Sequence, residues 1–585
     1  MEYTVLNGRN WGSGNAFTDI DCLAQNAIDS SQRSFVPSGI VGTTVWPGTR
    51  RCSVVLTAGQ DLSDQFSIAF AGFYTRREND TAENLSASSP GASAATQSEA
   101  TQYDTQLSVN GHLSDHWIGV MTLDASADDV RNPETLYYYG TPIQREGDRI
   151  NNHLASIEWD TRAELPKIVT VIPHLALGAV YEQDTLQFDG NTVSPTTVVD
   201  PLILNLERRT RSIFAELNIP LWPIGAVGDE VGPGNILSLS LAGRTSWYSD
   251  VGVTTNPRIS LHYTPTSRFS IEATWGTAYR APSMLQQFSP SQVTLKPVPD
   301  PAVPGGSLLS LFEFGGNPKL RPEESRDSTL DFSYSPAALS PLVLNATAFY
   351  INDHKRIEYP TTDTGNPLSD ANVLSYVSNP DAAQISQALA QSQFVNRAGG
   401  SYSPYDAALI INDLYENIAR DRALGGDFEV RYTWKVAEGK LKATLNSSYL
   451  DLRQQATPGS PMLDLSGTVF NPPLWRSRIG IDWTDSSSHA ALFLNYIGSS
   501  QNTDVAPSRP IASWMTVDAT LSYQFPDEGW LANTRFALTA QNVLNRRPPF
   551  ASVVQPGVPN PNFDSTNASA VGCFMMLGIT KTLTH

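Results

Sequence analysis

The 585-residue sequence has few charged side chains, few cysteines and no long apolar run. Only 17% of its residues are charged, and 58 acidic residues against 39 basic ones give a formal net charge of −19. Nucleic acid is not expected as a partner, because binding phosphates requires a basic surface. The longest uncharged apolar stretch, 168–181, is interrupted by Pro173 and His174. These features exclude a helical membrane protein.

Three cysteines are too few for a disulfide-stabilised scaffold. Cys22 and Cys52 flank a long polar segment and are able to form a disulfide in an oxidising compartment, but the sequence does not decide whether they do. Cys573 falls in the last predicted strand and has no evident partner. The amino terminus, Met1 to Leu6, has neither a basic start nor a long apolar stretch, so no signal peptide is predicted in this chain.

Alternating apolar and polar residues predict antiparallel strand pairs. In the clearest pair, at 427–449, Phe428, Val430, Tyr432 and Trp434 alternate with polar residues before a turn at 437–439, and the returning strand alternates in the same way. Nine such pairs begin near residues 52, 101, 150, 208, 256, 327, 423, 475 and 512, and single strands are predicted at 2–6 and 573–583. About twenty strands therefore result, with one apolar and one polar face each.

Short turns join the strands within a pair, whereas long polar segments separate the pairs. The long segments lie near 8–51, 77–100, 127–149, 185–207, 277–326, 353–422, 452–474, 499–511 and 544–569, and the sixth contains a predicted helix at 381–391. Short turns on one side and long loops on the other are typical of a transmembrane β-barrel. The predicted fold is therefore all-β: a transmembrane antiparallel β-barrel with long extracellular loops and short periplasmic turns.

Aromatic residues lie beside the short turns, where a ring with a polar tip suits the headgroup boundary of a membrane. The alternative is that they cover the ends of the core of a β-sandwich. The residues are Phe66, Trp117, Trp159, Trp222, Tyr263, Phe269, Tyr334, Trp434, Trp483, Tyr523 and Trp530.

Four segments resemble the barrel of TonB-dependent outer-membrane receptors. The first runs from Trp275 through Tyr279, Arg280, Ala281, Pro282 and Ser283, and it is similar to the family's aromatic-Arg-Ala-Pro element. The second, at 316–325, contains Asn317, Pro318, Leu320, Pro322, Glu323 and Ser325 and resembles the Gly-Asn-Pro-x-Leu-Lys-Pro-Glu-x-Ser segment. Gly426 to Glu429 is a weaker match, and Asn542, Asn545, Arg546 and Pro548 resemble the Asn-Leu-Phe-Asp/Asn-Arg-x-Pro stretch.

The resemblance implies a receptor that imports a scarce solute through a 22-stranded barrel filled by a plug of some 150 residues. Residues 1–585 are interpreted as one barrel domain with about 20 of the 22 strands and with no plug, coupling segment or signal peptide. Outer-membrane lipid and a small-molecule solute are the expected partners. The inner-membrane TonB complex is expected to act on an intact homologue and not on this fragment, and the expected location is the outer membrane of a Gram-negative bacterium.

No catalytic or metal-binding pattern stands out, so neither an enzyme nor a cofactor is predicted. Asp129 and Glu134 are interpreted as solvated loop carboxylates. The run Tyr137, Tyr138 and Tyr139 is the candidate for ligand contact, the alternative being membership of an outer aromatic girdle. Arg280 and Arg321 are candidates to bind an anionic ligand, the alternative being ion pairs with Glu323 or Glu324.

Three functions follow from these observations. The leading hypothesis is the barrel of a receptor that binds and imports a siderophore–metal chelate, a vitamin or an oligosaccharide. A passive porin-like or structural barrel is the second hypothesis. A soluble secreted β-protein is the third, although no repeat of 40 to 50 residues supports a propeller.

Overall fold

The computed structural model describes residues 1–37, 40–85, 90–168, 171–193, 198–223, 235–339, 341–361, 367–368, 376–390, 392–398, 402–552 and 561–583. Strands dominate these residues. The helical elements with defined bounds in this part of the chain are α1 (Met284–Phe288), α2 (Ala382–Leu389) and three 3₁₀ turns at Ser30–Gln32, Ala337–Leu339 and Pro404–Asp406. Neither α1 nor α2 has the length and apolar character needed to cross a bilayer, and no other helix in the described part does.

The strands of the first half are β1 (Glu2–Trp11), β2 (Gly14–Gln25), β3 (Ile28–Asp29), β4 (Thr44–Trp46), β5 (Gly48–Asp61), β6 (Phe66–Asn84), β7 (Ala92–Ser114), β8 (Trp117–Tyr138), β9 (Thr141–Glu164), β10 (His174–Val193), β11 (Val198–Pro223), β12 (Asn235–Tyr248), β13 (Gly252–Thr266), β14 (Phe269–Arg280), β15 (Ser291–Pro299) and β16 (Ser307–Gly315). Those of the second half are β17 (Glu323–Tyr334), β18 (Leu342–Glu358), β19 (Tyr376–Ser378), β20 (Ser392–Asn396), β21 (Leu409–Leu414), β22 (Glu416–Val436), β23 (Gly439–Gln455), β24 (Leu463–Asp464), β25 (Trp475–Thr484), β26 (Ser488–Ile497), β27 (Ser500–Asn502), β28 (Arg509–Ile511), β29 (Trp514–Gln524), β30 (Thr534–Gln541) and β31 (Phe574–Lys581).

One sheet of 22 strands forms the wall of the molecule. Apart from the two-residue strand β24, each wall strand pairs antiparallel with the next wall strand along the chain, from β1–β2 through β14–β17 and β18–β22 to β30–β31. We call the end of the wall that contains the connections 267–268 and 437–438 the inner end, and the opposite end the outer end. Among the described residues, β1 pairs only with β2, and β31 pairs only with β30. β1 and β31 both run from the outer end to the inner end, so an antiparallel ladder cannot join these two strands.

The two faces of the wall differ as the alternation predicts. In β25, Ile479 and Ile481 are 47% and 51% exposed, and the outward residues of β13 behave in the same way. Such exposure of apolar side chains in register suits a wall surrounded by lipid. Nine of the eleven aromatic residues predicted beside the short turns are exposed in the same way: Phe66, Trp117, Trp159, Trp222, Tyr263, Tyr334, Trp434, Tyr523 and Trp530.

Three predicted loops are in fact strands. The segments 77–100, 127–149 and 185–207 are largely extensions of β6 to β11, which form hairpins of strands with 19 to 26 residues. The predicted loop at 8–51 contains the end of β1 and all of β2, so the wall has one long strand more than the twenty predicted, in addition to the two-residue strand β24. Backbone pairing in these parts needs no apolar alternation, because their side chains lie outside the lipid band or carry polar groups on both faces.

Two long outer segments join to form one folded body, which we call the cap: β15, β16, β19, β20, β21 and α2. Its five-stranded sheet has the order β19-β21-β16-β15-β20, with β15 and β16 from the segment after β14 and the other strands from the segment after β18. The β15–β20 and β16–β21 pairs are parallel. The predicted helix at 381–391 is confirmed as α2, and Asp381 caps its amino terminus by accepting a hydrogen bond from the Gln384 amide.

The cap also holds most of the buried apolar side chains that cluster in the described part of the chain. One cluster contains Val293, Leu295, Leu311, Ile385, Ala407 and Ile410, and a second contains Val298, Phe312, Leu409 and Ile411. A smaller cluster of Val469, Ile511 and Ala551 lies among other outer segments. The cap is therefore built like a small water-soluble domain, whereas the wall places its apolar side chains on its surface.

Candidate functional site

The face of the wall opposite the exposed apolar side chains, which we call the inner surface, is polar, and its side chains form hydrogen bonds between neighbouring strands. Ser212 on β11 and Ser246 on β12 are 2.8 Å apart at their hydroxyls, and Ser260 on β13 lies 2.8 Å from Thr274 on β14. A pocket of about 310 Å³ opens on this surface. Its lining includes Glu216, Asn218, Ser240, Arg258, His262 and Glu272.

The first motif residues lie where β14 ends and the cap segment begins. Arg280 donates to both carboxylate oxygens of Glu323, at 2.6 Å each, and Glu323 also accepts from the Ile357 amide at 2.7 Å. The hydroxyl of Tyr279 lies 2.5 Å from that of Tyr248. Arg280 thus forms the ion pair that was the alternative to ligand contact, and its role in ligand binding stays a prediction.

Ala281 follows in the chain, and Pro282 is buried, as expected for a residue that stops strand pairing. Ser283 then caps α1: its hydroxyl accepts from the Gln286 amide at 3.0 Å, and the Gln286 side chain accepts from the Ser283 amide at 2.9 Å. This reciprocal capping fixes the direction in which the chain leaves the wall.

The second motif joins the bases of the two cap segments. Asn317 donates from its amide side chain to the carbonyl of Tyr415 at 2.8 Å. Asn417 exchanges two hydrogen bonds of 2.8 Å with the backbone of Arg321. Leu320 is buried between Pro318 and Pro322, while Ser325 lies in β17. Glu324 pairs with Lys355 at 2.5 Å, not with Arg321, whose side chain is exposed.

The carboxy-terminal motif forms a tight turn after β30. Asn542 has a φ of 48°, and its side chain both accepts from the Arg546 amide and donates to the Arg546 carbonyl, each at 2.9 Å. Asn545 also has a φ of 48° and accepts from the Cys573 amide at 3.0 Å, with Pro548 three residues further on. Asparagine tolerates this left-handed backbone better than most residues, which accounts for its place in the motif.

The three tyrosines lie at the tip of the β8–β9 hairpin. Tyr138 and Tyr139 are 47% and 72% exposed, and their rings meet edge to face with centroids 4.6 Å apart. Tyr137 is half-buried. The strand from Trp117 to the tip spans about 70 Å along its length, which places the tyrosines far beyond a lipid band of about 25 Å. This position argues against their belonging to a girdle.

Cys22 and Cys52 face each other directly in the β2–β5 ladder and form a disulfide. Cys573 is a free, exposed thiol. Asp129, interpreted as a solvated carboxylate, pairs with Arg131 and Arg149, and hydrogen bonds from these guanidiniums lower its pKa. No group of three or more histidine, cysteine or acidic side chains that could hold a metal ion occurs within the described ranges.

Two charged residues of the cap are partly withdrawn from water. Burial raises the pKa of the Glu313 carboxyl and lowers the pKa of the Lys296 ammonium. The ammonium lies 4.0 Å from the centre of the Phe312 ring, a distance suited to a cation–π contact. The cap therefore carries charge at positions where its folded state is sensitive to pH.

Arg208 was not identified from the sequence. Its side chain is only 11% exposed, and its guanidinium contacts Asp250, the Pro282 carbonyl and Gln287. The motif at 279–283 pointed to this region, but no local signal marks an arginine whose partners are 42 to 79 residues away.

Comparisons with known proteins agree with this architecture. The family model described as TonB dependent receptor-like, beta-barrel, matches residues 7–545. A search of curated proteins found no significant match.

Several solved structures share the fold. The ferric enterobactin receptor PfeA of Pseudomonas aeruginosa, in a mutant form in complex with enterobactin, is 14% identical with a TM-score of 0.67, and the alignment covers 99% of this chain and 78% of that one. The siderophore receptor PirA of Acinetobacter baumannii is 14% identical with a TM-score of 0.65, over 99% and 76% of the two chains. The RagAB peptide importer is 9% identical with a TM-score of 0.64, over 99% and 75%.

The match of a family model to nearly the whole chain, together with the antiparallel wall, identifies the fold as the barrel predicted from the alternation. The family and these structural neighbours are receptors and transporters of the outer membrane, not enzymes. The chain belongs to the family of TonB-dependent receptors, of which it forms the β-barrel.

Proposed function

We propose that residues 1–585 form the wall of an importer in the outer membrane of a Gram-negative bacterium, which captures a scarce small solute at its outer end. One observation carries the proposal: the two faces of a single strand differ. On β13, Ile259, Leu261 and Tyr263 are 44%, 43% and 40% exposed on one face. Ser260 and His262, on the other face, line the polar pocket. Such a strand suits lipid on one side and a watery passage on the other.

The solute classes are a siderophore–metal chelate, a vitamin or an oligosaccharide. Siderophore receptors stand among the structural neighbours, which makes a metal chelate the first class to test. A peptide importer stands among them too, so a short peptide is the second probe.

We propose the tyrosine tip as a first point of contact. Tyr138 and Tyr139 present two edge-to-face rings to solvent at the outer extreme of a long hairpin, where they could stack on a planar chelator or a sugar. Arg321 is the better of the two arginine candidates for an anionic group. Its side chain is exposed and forms no ion pair in the described part of the chain, whereas that of Arg280 is held by Glu323.

Lipid is the proposed surrounding of the wall, and the TonB complex of the inner membrane is the proposed energy source for an intact homologue. The experiment is a binding titration of the natural polypeptide, purified in detergent, with ferric enterobactin and with a mixture of short peptides. Saturable binding of either probe is expected. The Tyr138→Ala, Tyr139→Ala double variant should weaken binding about tenfold, since each aromatic contact contributes about 0.5 to 1.5 kcal/mol.

Tyr402→Ala is the matched control, because Tyr402 is 52% exposed but belongs to the second cap segment and not to the β8–β9 hairpin. Vesicles containing the protein separate the import proposal from the porin hypothesis. Free passage of small sugars without any saturable probe binding would favour a passive pore. Extraction of the protein from cells without detergent would instead favour a soluble secreted protein.

A further inference from the structure

Arg208 links three separate parts of the outer end of the wall. Its Nε and Nη2 donate to Asp250 Oδ2 at 2.9 Å and 2.7 Å, in the short turn between β12 and β13. The Nη2 group also donates to the Pro282 carbonyl at 2.8 Å and to Gln287 Oε1 at 2.9 Å. One side chain on β11 therefore holds a neighbouring turn and the start of the first cap segment.

This contact shows where the cap segment goes after it leaves the wall. The segment starts at the end of β14, yet α1 meets β11, which lies three strands away along the sheet. Arg208 lies on the same face of β11 as Ser212 and Glu216, which belong to the polar inner surface. The chain therefore folds back over β13 and β12 on the inner side of the wall, above the passage.

The hydrogen bonds of Arg208 to Pro282 and Gln287 affect the whole cap, because α1 continues into the sheet of the cap. The segment that begins with α1 contributes β15 and β16, which pair with β20 and β21 of the second segment. Leu311 of the first segment and Ile385 and Ile410 of the second belong to one buried cluster. Because the two segments share a sheet and a core, they move as one body, and Arg208 is a fastening point for both.

A second acidic partner lies next to Arg208. Asp184 on β10 is its direct partner in the β10–β11 ladder, and side chains directly opposite one another in such a ladder are within reach of an ion pair. The two charges are close enough to interact, yet the half-buried Asp184 forms no ion pair in the described part of the chain. Arg208 therefore forms an ion pair with Asp250 in this structure, while Asp184 lies within reach as a second acidic partner.

The engaged arrangement is not fully satisfied. Asp250 Oδ1 and Gln287 Nε2 are buried and have no hydrogen-bond partner among the described residues. Unpaired buried polar atoms offset part of the benefit of the four hydrogen bonds. The difference in free energy between the observed arrangement and the alternative one, in which Arg208 pairs with Asp184, is therefore smaller.

We propose that Arg208 is a positioning residue that exchanges partners: it fastens the lowered cap through Asp250, Pro282 and Gln287, and it pairs with Asp184 when the cap rises. As a gate for solute entry the exchange rests on the function proposed above. The exchange itself is a property of these residues and can be measured without any solute, so its failure and the failure of the import proposal are distinguishable.

Hydrogen exchange of the natural polypeptide in detergent tests the fastening. Arg208→Met should speed amide exchange in 283–288 about tenfold, while β15, β16 and β21 stay protected by the core of the cap. Arg209→Met is the matched control, because Arg209 is 57% exposed and pairs only with Glu207 within the described chain. Asp250→Asn retains the arginine and should give a smaller increase in the exchange rate of the same amides. This variant replaces the first one as the test if Arg208→Met fails to assemble.

Asp184→Asn tests the exchange of partners. Without the reserve acid, the raised cap would leave Arg208 unpaired, so exchange in 283–288 should slow about threefold or more. Glu207→Gln is the control, because it removes an acidic charge from the opposite face of β11, where Glu207 pairs with Arg209, and it should leave these amides unchanged.

Unchanged exchange in 283–288 in both Arg208→Met and Asp250→Asn would overturn the fastening. Loss of protection throughout β15, β16 and β21 would make Arg208 a folding residue and would also overturn the proposal. Equal effects of Asp184→Asn and Glu207→Gln, or no effect of Asp184→Asn, would overturn the exchange of partners.

Discussion

Arg280 and Glu323 are direct partners in the β14–β17 ladder and join through two charge-assisted hydrogen bonds of 2.6 Å. Glu323 is 12% exposed in its side chain and accepts a third hydrogen bond from Ile357 on β18. The pair therefore holds the outer ends of three successive wall strands. Both residues belong to the sequence motifs that resemble the receptor family.

Arg280→Met should loosen the outer ends of β14 and β17, because it leaves the Glu323 carboxylate with one backbone donor. The expected loss of local stability is about 1 to 2 kcal/mol, since Arg280 is largely exposed and the pair is partly screened by water. Hydrogen exchange of 323–326 measures this loss. The Arg280→Met, Glu323→Gln double variant should recover part of it, and a purely additive double variant would contradict the coupling.

The same double variant separates structure from ligand binding. If Arg280 acts only in the wall, the double variant should bind the ferric enterobactin or peptide probe as the parent does. Weaker binding in a double variant of recovered stability would instead support the predicted ligand contact of Arg280.

Leu311→Ala should unfold the cap and leave the wall intact. Leu311 is fully buried in the cluster shared by the two cap segments, and replacing such a leucine by alanine costs about 2 to 5 kcal/mol. Limited proteolysis should then cut within 291–315 and 376–414, while the heat-unfolding midpoint of the wall stays the same. Leu339→Ala is the control, because Leu339 is 51% exposed in a short inner turn; cleavage in that variant would contradict the interpretation.

The cap should become more stable as the pH falls from 8 towards 5. Burial raises the pKa of Glu313 in the folded cap, so the ionised carboxylate favours the unfolded cap, and this penalty disappears as the pH falls through the raised pKa. Hydrogen exchange of β16, corrected for the intrinsic rate at each pH, measures the effect. Glu313→Gln should be more stable than the parent at pH 8 and should reduce the pH dependence.

Reduction of the Cys22–Cys52 disulfide should destabilise the first hairpin and the segment that follows it. Closing a loop of this length stabilises a fold by about 3 to 4 kcal/mol in the chain-entropy account, and the two sulfurs join directly paired strands. Hydrogen exchange of β2 in a Cys22→Ser, Cys52→Ser variant tests this expectation. Cys573→Ser, which removes the free thiol, should leave β2 unchanged.

The alternation of apolar and polar side chains predicted those parts of the wall in which one face of each strand suits contact with lipid. β29 carries an apolar residue at every second position, as do β13 and β25 apart from Thr255 and Ser477, and the pairing and aromatic ends of these strands follow from the sequence. The first half of β1 was predicted at 2–6, but its second half and β2 escaped prediction, because Asn7, Gly8, Arg9 and Asn10 show no such alternation. Strands beyond the lipid band are held by backbone hydrogen bonds, which leave little trace in the side chains.

The site was predictable only where its contacts are local or belong to a motif. The capping of α1 and the pairing of Arg280 with Glu323 fall within the motifs, and the pair was foreseen as one of two alternatives. The cap was not predicted, because β15 and β20 are short and their pairing joins segments about 100 residues apart, as between Ser291 and Ser392.

The parallel pairs of the cap also bear on the order of assembly. β15 cannot meet β20 until β17, β18 and the start of the second segment have been placed, so the cap is expected to form late, after its supporting strands. A newly inserted barrel would then pass through a stage in which its entrance is uncovered. On the function proposed above, an outer membrane that is receiving new copies of the protein should leak more than one in which synthesis has stopped.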